Sequence, residues 1–337
     1  MTNAAHFANM PDGTPVAQIT LRGGGLTARV LTHGARIQDL RLDGVAHPLV
    51  LGSSDFAPYL DDMLYFGAIV GRFANRIAGG AFVIDGTPHQ VDRNFLGKHC
   101  LHGGSDGTAS RVWEVAALKE DAVELRLDLA DGEMGFPGAM QVMATIALPG
   151  DGVLAMDIRA TSDAATPCSF AHHGYFNLDG SVDIADHLLQ VAAETYLPVD
   201  AEMIPLGAPD TLAGTAFDFR AARALGHSQV DHNFCLATAR RTCQPVANLT
   251  GATSGVKMRV ETTEPGLQVY GAATFPAAGL SGFDGRRYGP HAGLALETQS
   301  WPDAPNRPTY PDTILRPGER YHHQVRYVFD RSETASA

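Results

Sequence analysis

Short apolar runs, cut apart by Gly, Pro, Asp and Asn, leave this chain little choice but β-structure. They include Ala28 to Leu31, Ala81 to Ile84, Ala122 to Leu129, Gln141 to Leu148, Val153 to Arg159 and Tyr321 to Phe329. Several alternate apolar and polar side chains, as Glu124-Leu125-Arg126-Leu127-Asp128-Leu129 does. That period of two turns one strand face to a core and the other to water. Long helical periodicity is hard to find. Turn signals such as Asp85-Gly86, Asp131-Gly132, Pro149-Gly150-Asp151-Gly152 and Pro317-Gly318 separate the runs, and 36 Gly with 20 Pro suit many tight connections. The pattern predicts an all-β chain, a large antiparallel β-sandwich.

At 337 residues, length alone allows two domains, yet large β-folds reach this size as one unit. No Ser/Gly-rich linker, composition change or internal repeat interrupts the chain, so a single domain over 1–337, with its core at about 15–330, is expected. An apolar fraction of 45% is enough for a substantial core without staples. Lys plus Arg number 25 against 37 Asp plus Glu, a net charge of −12, which argues against nucleic acid as a partner. Cys100, Cys168, Cys235 and Cys243 form no CxxC pair and read as reduced, mostly buried thiols. Met1 to Pro15 has no basic patch followed by an apolar run, and no apolar stretch is long enough to span a bilayer, so a cytoplasmic protein is expected.

Five polar signatures stand out between residues 71 and 306. In order they are Gly71-Arg72-Phe73-Ala74-Asn75-Arg76-Ile77, Leu101-His102-Gly103-Gly104, His172-His173-Gly174-Tyr175-Phe176-Asn177-Leu178, Asp231-His232-Asn233-Phe234, and Leu296-Glu297-Thr298-Gln299 with Trp301-Pro302-Asp303-Ala304-Pro305-Asn306. Together, and in this order, they resemble the aldose 1-epimerases, or galactose mutarotases, over nearly the whole chain. The resemblance implies a galactose-mutarotase-like sandwich (supersandwich) of two large curved sheets, with a sugar cleft on one concave face. It implies an isomerase that interconverts the α and β anomers of free aldoses such as galactose, glucose or xylose. That reaction needs one base and one acid, on either side of the ring bond that opens.

Glu297 follows a run with the look of a buried strand, Ala292-Gly293-Leu294-Ala295-Leu296. Read on the residues alone, it fits a strand-end ion pair or a partly desolvated carboxylate whose pKa rises above the usual ~4.3. The resemblance implies that it is the catalytic base. His173 alone fits a hydrogen-bonded core histidine or a proton donor near neutral pH; the resemblance implies the general acid, and a negatively charged cleft should favour its protonated form. Family members usually carry Asn before this histidine and often Ser or Thr after it, whereas this chain has His172 and Gly174. His102, otherwise a turn histidine, resembles a second active-site histidine bonded near the sugar ring oxygen. Asn75 and Arg76 resemble a pair that binds sugar hydroxyls; on the residues alone, Arg72 and Arg76 could equally form a solvated pair. Asp231 resembles the acceptor of two adjacent hydroxyls, or serves as an Asx-turn residue. Gln268 resembles a further sugar contact. Tyr175 and Phe176 are left outside the expected site, since such aromatics are more often core.

Neither a metal nor a cofactor is expected. His99, His102, His172 and His173 match no zinc spacing, and HExxH is absent. The expected partner is a monosaccharide, on a monomer or homodimer. A hexose-phosphate epimerase would call for clustered Arg or Lys, for which Arg286-Arg287 is the pair to inspect. The same residues also admit a non-catalytic sugar-binding or sensory protein, or a glycoside hydrolase using Asp231 and Glu297.

Overall fold

The computed structural model describes residues 3–331. Three antiparallel sheets carry most of the structure. A four-stranded meander at the N-terminus consists of Ala4–Asn9, Pro15–Gly23, Leu26–Leu31 and Arg36–Leu42. A nine-stranded sheet has the spatial order Glu114–Leu118, Ala122–Leu129, Met140–Gly150, Val153–Ser162, Tyr321–Arg331, Val256–Thr262, Gln244–Thr250, Leu188–Val191 and Arg223–Ala224. A six-stranded sheet runs Tyr175–Phe176, Leu294–Gln299, Gly266–Tyr270, Asp231–Cys235, Thr195–Tyr196 and Asp210–Thr211. Helical structure among the described residues is confined to short 3-10 turns, and no helix is long and apolar enough to cross a membrane.

The all-β sandwich expected from the alternating pattern is the architecture observed. The run Ala122–Leu129 is a strand with those limits, buried at Val123, Leu125, Leu127 and Leu129. The other long runs extend by a few residues, to Met140–Gly150, Val153–Ser162 and Tyr321–Arg331. Gly150 pairs with Val153 across a two-residue turn in which Asp151 (φ 50°) and Gly152 (φ 68°) are both left-handed, the conformation that matches strand twist. Inward residues of the nine-stranded sheet, such as Leu154, Met156, Ile158, Met258 and Val260, share one apolar core with Leu267, Val269, Leu294 and Leu296 of the six-stranded sheet. Each fully buried side chain of this kind contributes about 1.5–3 kcal/mol. The two-residue strands are too short to carry a periodic signal.

The strand Leu294–Gln299 is buried along its whole length. Alternation sends Leu294, Leu296 and Thr298 to the interior and Ala295, Glu297 and Gln299 to the opposite face, where loops cover them. Glu297 lies opposite Gln268 in the register, and Gln268 lies opposite Asn233. The six-stranded sheet is therefore the floor on which a polar site is laid.

One of those covering loops is held by a buried cation. Arg36 has no exposed surface and donates to the carbonyls of His33, Met63, Leu64, Phe66 and Ala109, with its guanidinium 4.6 Å from the Tyr59 ring centre. Gly67, which follows Phe66, donates its N–H to the carbonyl of His173 at 2.9 Å. A lysine has three donors and no fork, so at least two of the five carbonyls would lose their partner. Arg36→Lys is expected to lower stability by about 2–6 kcal/mol, at about 1–3 kcal/mol for each stranded carbonyl, which urea denaturation followed by tryptophan fluorescence would measure. A loss below about 1 kcal/mol, less than one stranded carbonyl, would refute the role given to Arg36.

Candidate active site

A cavity of about 430 Å³ opens on the loop-covered face of the six-stranded sheet. Glu297, His173, His102, Asn75, Arg76 and Asp231 all line it. Six positions spread from 75 to 297 thus converge on one space. Gln268 does not line the cavity; it lies beneath, with its Nε2 donating to Asp231 Oδ1 at 2.5 Å. That bond supports the Asp231 carboxylate, while the buried Gln268 Oε1 has no hydrogen-bond partner within the described protein.

Glu297 and His173 form a buried polar pair, with side chains 3% and 5% exposed and Oε1 3.6 Å from Nε2. Two further atoms of the pair, Glu297 Oε2 and His173 Nδ1, have no hydrogen-bond partner within the described protein. The Glu297 carboxyl is pushed well above the usual carboxylate range, first by burial and then by the Asp231 charge, with Arg76 opposing. Burial also pulls the His173 imidazole down to about 4, and the Arg76 charge adds to this. The expectation that a negative cleft favours protonated His173 is therefore corrected: burial disfavours the imidazolium, the neighbouring charge felt by the ring is the Arg76 cation, which acts in the same direction, and the ring is neutral at pH 7.

His102 reaches the cavity from a left-handed backbone position (φ 52°). Its N–H donates to the Asn75 carbonyl at 3.0 Å, and the Asn75 N–H donates back to His102 Nδ1 at 3.2 Å. Because Nδ1 accepts, the neutral ring carries its proton on Nε2 and offers a donor. Its ring stands edge-on to His173 at 5.2 Å, and burial, then the neighbouring His173 and Arg76, hold it well below the usual histidine range. Ligand atoms of His102, His173 and Glu297 lie within 4.8 Å of one another, the one such grouping found among the described residues. A metal-bound histidine ordinarily turns its other N–H toward an acceptor; here the other nitrogen faces a donor, so this ring is built to donate rather than to ligate.

In the same cavity, Arg76 Nη2 lies 3.9 Å from Asp231 Oδ2, and its guanidinium stacks 4.6 Å from the Phe95 ring centre. Asn75 Oδ1 accepts from the Arg76 backbone N–H at 2.8 Å and from Nη1 at 3.3 Å. The Trp301–Asn306 motif supports this strand. Asp303 donates its N–H to the Arg76 carbonyl, and its Oδ1 accepts from Ala78 N–H and Asn306 Nδ2.

Arg72, which a solvated pairing with Arg76 would have placed at the surface, is buried and donates to the carbonyls of Ala130, Pro137 and Gly138. Arg286 and Arg287 bond Gly180 O and Ala278 O in a separate groove. The aromatic walls of the cleft lie outside every sequence motif but one. Tyr65 stacks 5.9 Å from His173 and lies 4.7 Å from His102, while Tyr175, expected in the core, lies 5.0 Å from His173 and lines the cavity with Tyr270. Tyr65 stands in no periodic run; nothing in its local sequence marks it.

The chain matches the family model described as aldose 1-epimerase over residues 17–328. It is 39% identical over 336 residues to galactose mutarotase from Rattus norvegicus, covering 96% of this chain and 97% of that one. It is 34% identical over 340 residues to aldose 1-epimerase from Escherichia coli K12, covering 95% and 96%. Among solved structures, an aldose epimerase homologue from C. elegans superposes with a TM-score of 0.88 at 28% identity, covering 94% and 100%. Galactose 1-epimerase from Lactobacillus acidophilus gives 0.86 at 28% identity, covering 99% of each chain.

The tautomer assigned to His102 has a direct spectroscopic consequence. Long-range ¹H–¹⁵N correlation should show an unprotonated Nδ1 and a protonated Nε2 for His102, with no titration of His102 or His173 between about pH 6 and 8 in the unliganded protein. A protonated Nδ1 on His102, or a midpoint near the ordinary ~6.5 for either ring, would contradict the geometry.

Proposed function

The chain belongs to the aldose 1-epimerase family, and from that premise we propose that it equilibrates the α and β anomers of a free aldose with Glu297 as base and His173 as acid. The observation that carries the assignment is the buried Glu297–His173 pair, 3.6 Å apart in a cavity that also presents Asp231 and Arg76. Glu297 takes the proton from the C1 hydroxyl as His173 supplies one to the ring oxygen. The bond from C1 to the ring oxygen breaks, and C1 becomes an aldehyde. Rotation about C1–C2 presents the other face of the carbonyl. Closure then returns both protons by the reverse route.

Desolvation suits Glu297 to its task, because a carboxylate with a raised pKa is a stronger base than one in water. In this reading His102 donates from Nε2 to the ring oxygen or its neighbour. Asp231 accepts from adjacent hydroxyls, and its own position is held by Gln268 and Arg76. Tyr65, Tyr175 and Phe95 supply apolar faces for the C–H surfaces of a sugar ring.

An uncharged sugar fits this cavity better than a phosphosugar. Arg76 is the single Arg or Lys among its lining residues, and that cation already shares Asp231, Asn75 and the Phe95 ring. A phosphate would meet Asp231 and Glu297 without a second cation to offset them.

The pair works with one proton between its two members. Below about 4 both hold a proton and no base is left; above the raised Glu297 value both are bare and no acid is left. A bell-shaped pH profile of kcat/KM is expected, with an acid limb near about 4 and an alkaline limb above the ordinary carboxylate range. Polarimetry on fresh α-D-galactose, α-D-glucose and α-D-xylose tests the reading. Wild type should accelerate equilibration of at least one sugar, and Glu297→Gln should lose about 10²- to 10⁴-fold of the acceleration. Asp231→Ala should act mainly on KM. A folded wild-type protein that binds a sugar without accelerating its mutarotation would be a binding protein, and the proposal would fall.

A further inference from the structure

The acid and base proposed above sit on separate pieces of backbone, yet each has an immediate neighbour that reaches one and the same strand across the core. His172, next to His173, is 1% exposed and places Nδ1 3.1 Å from the Tyr327 hydroxyl. Thr298, next to Glu297, is fully buried and places Oγ1 2.9 Å from His323 Nε2. Tyr327 and His323 are both fully buried and four residues apart on Tyr321–Arg331, so they share its inward face. That strand is central to the nine-stranded sheet, paired with Val153–Ser162 on one side and Val256–Thr262 on the other.

We propose that Tyr327 and His323 are positioning residues of the active site, which set the spacing of His173 and Glu297 through His172 and Thr298. The inference rests on the catalytic roles given above. The two layers are linked through neighbouring residues: Glu297 and Thr298 alternate on one strand, and His173 directly follows the strand Ala171–His172, so that 172 and 298 reach the core while 173 and 297 line the cleft. Ladder hydrogen bonds already tie the backbone within its own layer, with His173 N–H on Ala68 O and Gly67 N–H on His173 O, and Glu297 opposite Gln268. They do not fix the height of either strand above the nine-stranded sheet. Apolar packing between the layers is non-directional, whereas a buried hydrogen bond specifies both distance and angle. Two such bonds to one rigid strand give acid and base a common reference.

Gly174 completes the device. A Cβ on residue 174 would lie 3.0 Å from His172 Nε2 and closer still to its Cε1. Glycine is needed here for space, so that the His172 ring can lie across residue 174 and reach Tyr327. The unusual residues on both sides of His173 are thus one packing solution.

The test compares Tyr327→Phe, Thr298→Val, Thr298→Ser and Gly174→Ala with wild type, by polarimetric kcat and KM and by crystal structure. Tyr327→Phe and Thr298→Val should each lower kcat about 10- to 100-fold, the scale of a small misplacement of reacting groups, with KM little changed. Thr298→Ser keeps the hydroxyl and should recover most of kcat. Gly174→Ala should resemble Tyr327→Phe and add little to it, since both break the same contact. A purely structural role would reduce melting temperature while leaving kcat of the folded protein intact, and that result overturns the proposal. So does a Thr298→Ser variant as slow as Thr298→Val. In the crystals, the 3.6 Å separation of His173 and Glu297 should change in Tyr327→Phe and Thr298→Val; an unchanged separation overturns the proposal whatever the activity. Inactive wild type with altered separations would instead count against the catalytic reading alone.

Discussion

A β-strand has a period of two, and on the buried strand Leu294–Gln299 that period decides where the chemistry lies. Leu296 and Thr298 belong to the core, so Glu297 between them must face the other way, into a space closed by loops. The carboxylate there is only 3% exposed, and its Oε2 has no hydrogen-bond partner within the described protein to stabilise its charge. The same alternation that builds an apolar core thereby produces a strong base on its reverse side. Moving the register by one residue would exchange the two faces, placing Glu297 among the core side chains Leu267 and Val269 of the neighbouring strand.

Desolvation acts on both members of the Glu297–His173 pair, and in opposite directions. It raises the carboxyl and lowers the imidazole, so the first proton to arrive in the empty cleft goes to Glu297 and not to His173. The proposed mechanism needs a carboxylate beside an imidazolium, an arrangement reached within that one-proton state. Their 3.6 Å separation makes the exchange a local matter, and in the reaction proposed above it is the sugar, offering a hydroxyl to one and a ring oxygen to the other, that stabilises the ionised form. The cost of burying the two groups is part of what makes them reactive.

The β-class of the chain and the place of its long strands, to within a few residues at their ends, are legible in the sequence because they rest on local periodicity; Ala122–Leu129 and Ala81–Ile84 can be read to the residue. The polar residues of the cleft are legible as well, but through motif order, since no spacing rule connects residues 75, 102, 173, 231 and 297. What escapes depends on contacts distant in sequence. Tyr65 becomes a cleft wall only because Arg36 and the Gly67–His173 bond bring its loop over the sheet. Gln268 can be recognised as a site residue, yet its place beneath Asp231 follows from a register two strands wide. The protonation state of His173 is beyond the sequence because charge can be counted there, whereas burial cannot.

Alternation also imposes a restriction on any active site laid on a sheet. Adjacent residues of one strand cannot both face a ligand, so acid, base and substrate contacts must come from different strands and loops, and their relative placement cannot be set by local geometry. In this molecule the task falls to buried polar groups that do no chemistry. Arg36 gathers five carbonyls behind the loop next to His173, Arg72 gathers three, and Asp303 pins the strand that carries Arg76. Such groups are costly to bury singly but become directional ties when every donor finds an acceptor. Much of the recognisable sequence of this site, including the Asp303 motif and the first arginine of Gly71–Ile77, is therefore a record of how the cleft is held rather than of what it does.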